Sequence, residues 1–264
     1  MKSANLDWVV VVARIGYSAK CLVYGVLGLL IFYVAFSAAS AEQVTKKSVY
    51  QEILYSPFGS ISLTAVVIGL ACYVVWRFVQ AVSNTDKLKM DNVKDIFMRL
   101  FYFFSAIAYT FATYAAVKVL LGSPDDDDKK KQQIGNSILQ EDWGIVLVGA
   151  IGCVILVFSV VQFKHALKAD FMDKFVSDVS STETTLIKLV GRIGFAGRGI
   201  VYSMAGGFFI HAAATQDSDK AGGLAKALVT LLQQPFGPWM VGLVGCGMVG
   251  FGLFCGFEGR YRKT

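Results

Sequence analysis

Two sets of polar residues recur in this sequence at fixed distances. Arg14, Arg99 and Arg192 are related by shifts of 85 and 178 residues, and the same shifts relate Gln80, His165 and Glu258. Each arginine precedes a long apolar run, and each member of the second set follows one. A ring of cations at one depth of a membrane, with a histidine and a carboxylate beside it, is the material of a polar vestibule, an anion site or a proton path. The plainer chemistry is structural. Helix-end cations reach back to the headgroups. Each arginine would then close its own hairpin: Arg192 on Glu258, Arg14 on Gln80, and Arg99 beside neutral His165. Pairs of that kind are common, exposed and individually weak, and this second reading is preferred.

The remaining reactive residues carry less. His165 and His211 fall at opposite ends of their helices, most of a bilayer apart, and no CxxCH is present, so they do not share a haem iron. His211 and Lys118 stand at the position of Tyr33 and read as interfacial anchors. Cys21, Cys72, Cys153, Cys246 and Cys255 lie in apolar stretches, none in a CxxC pair, and read as small buried hydrophobes. The run "SPDDDDKKKQQ" at 123–133 lacks the spaced ligands and glycine of an EF-hand and reads as a solvated loop. P-loop, HExxH and GxSxG patterns are absent. The expectation is a protein without cofactor or metal, and not an enzyme.

The elements that hold these residues follow from composition. Of 264 residues, 55% are hydrophobic and only 17% charged, below the roughly 25% charge of soluble domains. Six uncharged, mostly apolar stretches cover 21–41, 57–76, 100–117, 143–163, 199–216 and 235–257. Each is about the length that crosses roughly 30 Å of hydrocarbon as a helix, and lipid leaves backbone polar groups no other partner. Their centres carry no charge. Of the 25 Lys and Arg residues, 17 fall in the N-terminal segment, the loops after the second and fourth stretches, and the C-terminus. Cations collect on the cytoplasmic side, which predicts both termini inside, in a bacterial plasma (inner) membrane. The net charge of +6 is then a topology signal that favours membrane lipids, with a partner membrane protein as a further candidate and no nucleic acid.

The 178-residue shift lays "RIGYSAKCLVY" (14–24) on "RIGFAGRGIVY" (192–202) and Pro57-Phe58-Gly59 on Pro235-Phe236-Gly237. The 85-residue shift lays Tyr24 on Tyr109, Ile53-Leu54 on Ile138-Leu139 and Gly59 on Gly144. Each shift runs without a gap through two helices and their turn, which separates repetition from chance. The fold predicted is all-α: a polytopic membrane helix bundle with six transmembrane helices as three parallel two-helix repeats of approximate threefold symmetry. It forms one membrane domain, 1–264, with repeats over 8–85, 93–170 and 186–264. Glycine concentrates in the third repeat, with 16 of 26 in 191–264. The Gly252–Gly256 spacing predicts close packing of the sixth helix on the fifth or on a central neighbour.

The segments "ARIGYSAKCLVYG", "SPFG" and "GLACYVVWRFVQA" in the first unit, with "GRIGFAGRGIVYS" and "QPFG" in the third, resemble an uncharacterised bacterial membrane family, a domain of unknown function (number 1206). The resemblance implies three tandem two-helix units and a membrane address, and no activity. The middle unit departs from it, with "EDWG" in place of the Pro-Phe-Gly turn. Mitochondrial carriers share the three-by-two plan, but their Pro-x-(Asp/Glu)-x-x-(Lys/Arg) signature is missing: Pro57, Pro124, Pro235 and Pro238 all lie outside the odd helices. The functional expectation is a membrane-embedded binding or accessory component, the alternative being a small-solute or ion transporter with a vestibule at the cytoplasmic face.

Overall fold

A computed structural model of the chain describes residues 4–36, 46–55, 59–83, 93–122, 137–175, 180–217 and 220–262. The charged run at 123–133 and the Pro57-Phe58 pair lie outside the described residues. The long helices are α1 (Ala4–Phe36), α3 (Gly59–Ser83), α4 (Val93–Leu120), α5 (Asp142–Lys168), α6 (Ser181–Thr215) and α8 (Gly237–Tyr261). Two short helices, α2 (Lys46–Tyr55) and α7 (Leu224–Leu232), precede α3 and α8. Among the described residues, six helices are long and apolar enough to cross a membrane: Val10–Phe36, Gly59–Val82, Met98–Leu120, Asp142–Lys168, Ser181–Thr215 and Gly237–Tyr261.

The first and fifth spans begin well before the apolar runs at 21 and 199. Lys20 and Arg198, which stop those runs in the sequence, therefore lie inside the spans. The uncharged centres expected from hydropathy are corrected accordingly. A single inward cation does not end a helix, because the backbone bonds continue through it and the other faces remain apolar.

The principal packing partners run in chain order around a ring: α1 on α3, α3 on α4, α5 on α6, α6 on α8, and α8 back on α1. The consecutive pair α4 and α5 departs from this pattern and meets through the rings of Phe101 and Phe158, 5.2 Å apart. The outer surface is apolar; α5 presents Val146, Val154, Val157 and Val160 outward, as a lipid-facing helix must. The helices differ in enclosure: 61% of the apolar window of α8 is buried, against 17% for α5. The cysteines divide in the same way. Cys255 on α8 is buried, whereas Cys153 and Cys246 are exposed, so the reading of all five as buried hydrophobes holds only in part.

Small residues explain the enclosure of α8. A Cβ on Gly252 would stand 2.8 Å from Gly25 N and 2.9 Å from Cys21 O, and one on Gly245 would stand 3.0 Å from Gly28 O, all on α1. On its other side, a Cβ on Gly247 would stand 2.7 Å from the Cα of Gly197 on α6. With no side chains between them, the backbones approach to direct contact. The GxxxG spacing thus packs α8 against α1, its partner around the ring, while Gly247 handles α6.

The turn into each even helix has one construction. A Cβ would stand 1.8 Å from Leu54 O at Gly59, 1.7 Å from Ile138 O at Gly144 and 2.4 Å from Leu232 O at Gly237. The repeated (Ile/Leu)-Leu-x-x-x-aromatic-Gly pattern is therefore a backbone-on-backbone corner. The aromatic before the glycine points outward: Trp143 and Phe236 are exposed.

Candidate functional site

The two residue sets singled out from the sequence do not pair as expected. Arg99 donates from Nε to Ala81 O (3.0 Å) and from Nη2 to Val82 O (2.9 Å) at the end of α3. Arg192 donates to Leu167 O (3.5 Å) at the end of α5. Val82 and Leu167 are equivalent under the 85-residue shift. Each arginine thus caps the last carbonyls of the preceding repeat, where the helix dipole is negative and those acceptors lack intrahelical donors. Arg14 meets α8 through its backbone, its carbonyl oxygen 3.4 Å from where a Cβ on Gly259 would sit. Arg14, Arg99 and Arg192 accordingly sit at three separate seams between repeats.

The partners of the other set are also local. Gln80 Oε1 accepts from Arg77 Nη1 at 3.1 Å. Glu258 pairs with Arg262 one turn on, both side chains almost fully buried. His165 Nδ1 bonds the carboxylate of Asp170, which also faces Lys164 at 3.6 Å. Arg192 therefore bonds the preceding repeat where Glu258 was the expected partner, Glu258 bonds Arg262, and Gln80 takes its bond from Arg77 where Arg14 was expected.

The His165–Asp170 pair has a pH consequence. Burial alone would raise the Asp170 carboxyl, but the hydrogen bond and charge of His165, then Lys164, outweigh it and hold it below its ordinary range. A lowered folded-state value contributes stability that is complete above the unfolded carboxyl's pKa of about 3.9, and that is lost as pH falls through the folded value. Asp170→Asn should therefore melt earlier than the native protein near neutral pH, and the gap should close in acid. A gap in melting temperature that persists far below the carboxyl range would exclude the ion pair as its source.

Sequence reasoning missed the most unusual feature of the interior. Lys20 on α1 is buried, at 4% exposure, and donates from Nζ to Tyr73 Oη at 3.1 Å. Arg77 on α3 donates from Nε to the same phenol oxygen at 2.6 Å. The Lys20 ammonium lies over the rings of Tyr73 (4.5 Å), Phe251 (5.2 Å), Tyr109 (5.4 Å) and Tyr17 (5.7 Å). The Arg77 guanidinium lies over Tyr102 and Phe101. Arg198 on α6 covers Phe251 at 4.1 Å and bonds the Tyr202 hydroxyl. Ring faces and phenol oxygens thus solvate three cations inside the bundle. Tyr73 lies 14 residues along α3 from Gly59, roughly 21 Å at 1.5 Å per residue, which puts the layer nearer the end that carries the chain termini.

One signal in the sequence could have found this layer. The 178-residue shift lays Lys20 on Arg198, and each stands three residues after an aromatic (Tyr17, Phe195) and four before a tyrosine (Tyr24, Tyr202). That spacing puts all three on one helix face, so the cation shares the inward face of the aromatics.

Three tandem helical pairs, an apolar exterior and six spans of membrane length define a multi-pass membrane-helix protein. The chain belongs to the family described as Domain of Unknown Function (DUF1206): residues 15–84, 100–169 and 193–262 each match it. The matches start at the 85- and 178-residue offsets of the internal repeat. The chain is also similar to the "Uncharacterized protein YxxB" of Bacillus subtilis (strain 168), 30% identical over 263 residues that cover 99% of this chain and 94% of that protein. No solved structure matches it.

Proposed function

We propose that this protein is a non-enzymatic component of the bacterial inner membrane, with both termini cytoplasmic, that acts by binding within its bundle and does not conduct solutes. One observation carries the reading. Tyr24 of the first repeat and Tyr109 of the second meet hydroxyl to hydroxyl at 3.2 Å, although α1 and α4 are not neighbours in the ring. Phe251 of the third repeat packs edge-on against Tyr24 at 4.9 Å, and Tyr73 against Tyr109 at 4.6 Å. Side chains from all three repeats thus fill the space between the helices at one depth. The distribution of cations among the loops supports the orientation.

A carrier of small anions is the second reading, and the buried Lys20 with the half-buried Arg77 and Arg198 favour it, since charge inside a membrane marks function by default. Flux separates the two. Liposomes bearing the purified protein should pass chloride, potassium and phosphate no faster than protein-free vesicles. Phosphate flux above that background, abolished by Arg77→Gln, would establish the carrier instead.

A further inference from the structure

The cluster between α1 and α3 has donors in excess of acceptors. Tyr17 Oη, Trp76 Nε1 and Gln80 Nε2 are buried and have no hydrogen-bond partner among the described residues. Tyr17, Tyr73 and Trp76 pack together in one cluster, and Gln80 joins it through Arg77. Their exposures are 1%, 0%, 2% and 1% respectively. Beside these unused N–H and O–H groups stand two cations, Lys20 and Arg77, that share one phenol oxygen between them. The nearby Glu258 is already engaged by Arg262, whose own guanidinium lies over the Tyr17 ring at 5.3 Å. Buried polar groups normally find partners, and buried like charges without a counter-charge are costly. Every unmet demand in the cluster is for the same thing, an acceptor carrying negative charge.

The other repeats show that the fold does not require this arrangement. Under the 178-residue shift, Tyr17, Tyr73, Trp76 and Arg77 correspond to Phe195, Phe251, Phe254 and Cys255. There the same space between odd and even helices is filled by rings: Phe195 stands 5.6 Å from Phe251 and 5.2 Å from Phe254, and Phe171 stacks on Phe195 at 5.2 Å. In the second repeat, Arg77 corresponds to Gln162 and Tyr73 to Phe158. One scaffold packs well with hydrocarbon at this position, yet the first repeat alone carries the full set of donors and cations.

We propose that the α1–α3 cluster binds a phosphate oxyanion, with Lys20 and Arg77 supplying charge and Tyr17 and Trp76 supplying hydrogen bonds. The phosphate is either free in solution or the phosphodiester of an anionic phospholipid, whose headgroup lies near the same end of the bundle. The inference rests on the binding reading above. It is tested without flux, so failure of one does not imply failure of the other.

The test is thermal unfolding of the full chain, read by tryptophan fluorescence. One arm is in detergent with inorganic phosphate against chloride at equal ionic strength. The other is in nanodiscs of phosphatidylglycerol against phosphatidylcholine. Saturating ligand should raise the melting temperature by roughly 5–10 °C. A response to inorganic phosphate identifies the free ion, and a response confined to phosphatidylglycerol identifies the lipid. Lys20→Met and Arg77→Gln should abolish the response, read as the shift from each variant's own ligand-free melting temperature. Tyr17→Phe, which deletes only an unpartnered hydroxyl, should weaken the response and leave the ligand-free melting temperature unchanged. No response in either arm, or an equal response in the native protein, Lys20→Met and Tyr17→Phe, overturns the proposal.

Discussion

Gly144→Ala is expected to keep the protein from accumulating as a folded species in the membrane. The added methyl would stand 1.7 Å from Ile138 O, with the Ile138 carbonyl carbon at 2.6 Å. Neither atom belongs to a flexible side-chain tip. Relief requires opening the corner that leads into α5, which displaces the whole even helix of the second repeat. The corner also uses backbone bonds, Gly144 N donating to Glu141 O (2.8 Å) and Glu141 N to Ile138 O (3.2 Å), and these would be lost with it. The cost is at or above the upper end of overpacking, about 3 kcal/mol, a large share of a typical domain's stability of roughly 5–15 kcal/mol. Gly59→Ala should behave alike, and Gly237→Ala somewhat less severely, in the order of their contacts. The control is Gly25→Ala, where nothing stands within 4 Å of the new methyl and a helix gains from the exchange. Membrane yield and monodispersity in detergent are the measurements. A well-folded Gly144→Ala protein would show that the corner is not a close contact.

Gly252→Leu is the second large effect. Its first side-chain atom already collides with Gly25 N and Cys21 O on α1, and three further carbons have no space between two helix backbones. We expect a loss of about 2–3 kcal/mol, or roughly 4–12 °C in melting temperature. Gly256→Ala provides the graded comparison, since its methyl would meet only Cys21 Sγ, at 3.2 Å, and a side-chain tip can move aside. Equal melting temperatures for Gly252→Leu and the native protein would remove α1 as the partner of this face.

Much of the fold was legible because hydrophobic length and exact repetition are local signals. The helices announce themselves by run length, and Gly59, Gly144 and Gly237 by register. Which helices touch is not local. Spacing points Arg192 to Glu258 in its own hairpin, but its bond goes to Leu167 in the repeat before. Sequence spacing gives depth in the membrane, not position around a ring. The small face at Gly252 was readable, whereas its partner, Gly25 and Cys21 more than two hundred residues earlier, was not. The inward place of Lys20, Arg77 and Arg198 is hidden for a different reason. Hydropathy treats every charge as a boundary, and only the alternation of aromatic and cation along one face shows that Lys20 and Arg198 turn inward; Arg77 has no such spacing.

The closure of the ring by α1 and α8 also bears on how the chain is made. α1 ends at Phe36 and α8 begins at Gly237, so at about 5–20 residues per second α8 follows α1 from the ribosome after on the order of 10–40 s. For that time the glycine face of α1 has no α8 to meet, and the Phe251 ring that helps to cover Lys20 has not yet been synthesised. A charged helix must therefore persist in the bilayer, or beside the insertion machinery, until α8 arrives.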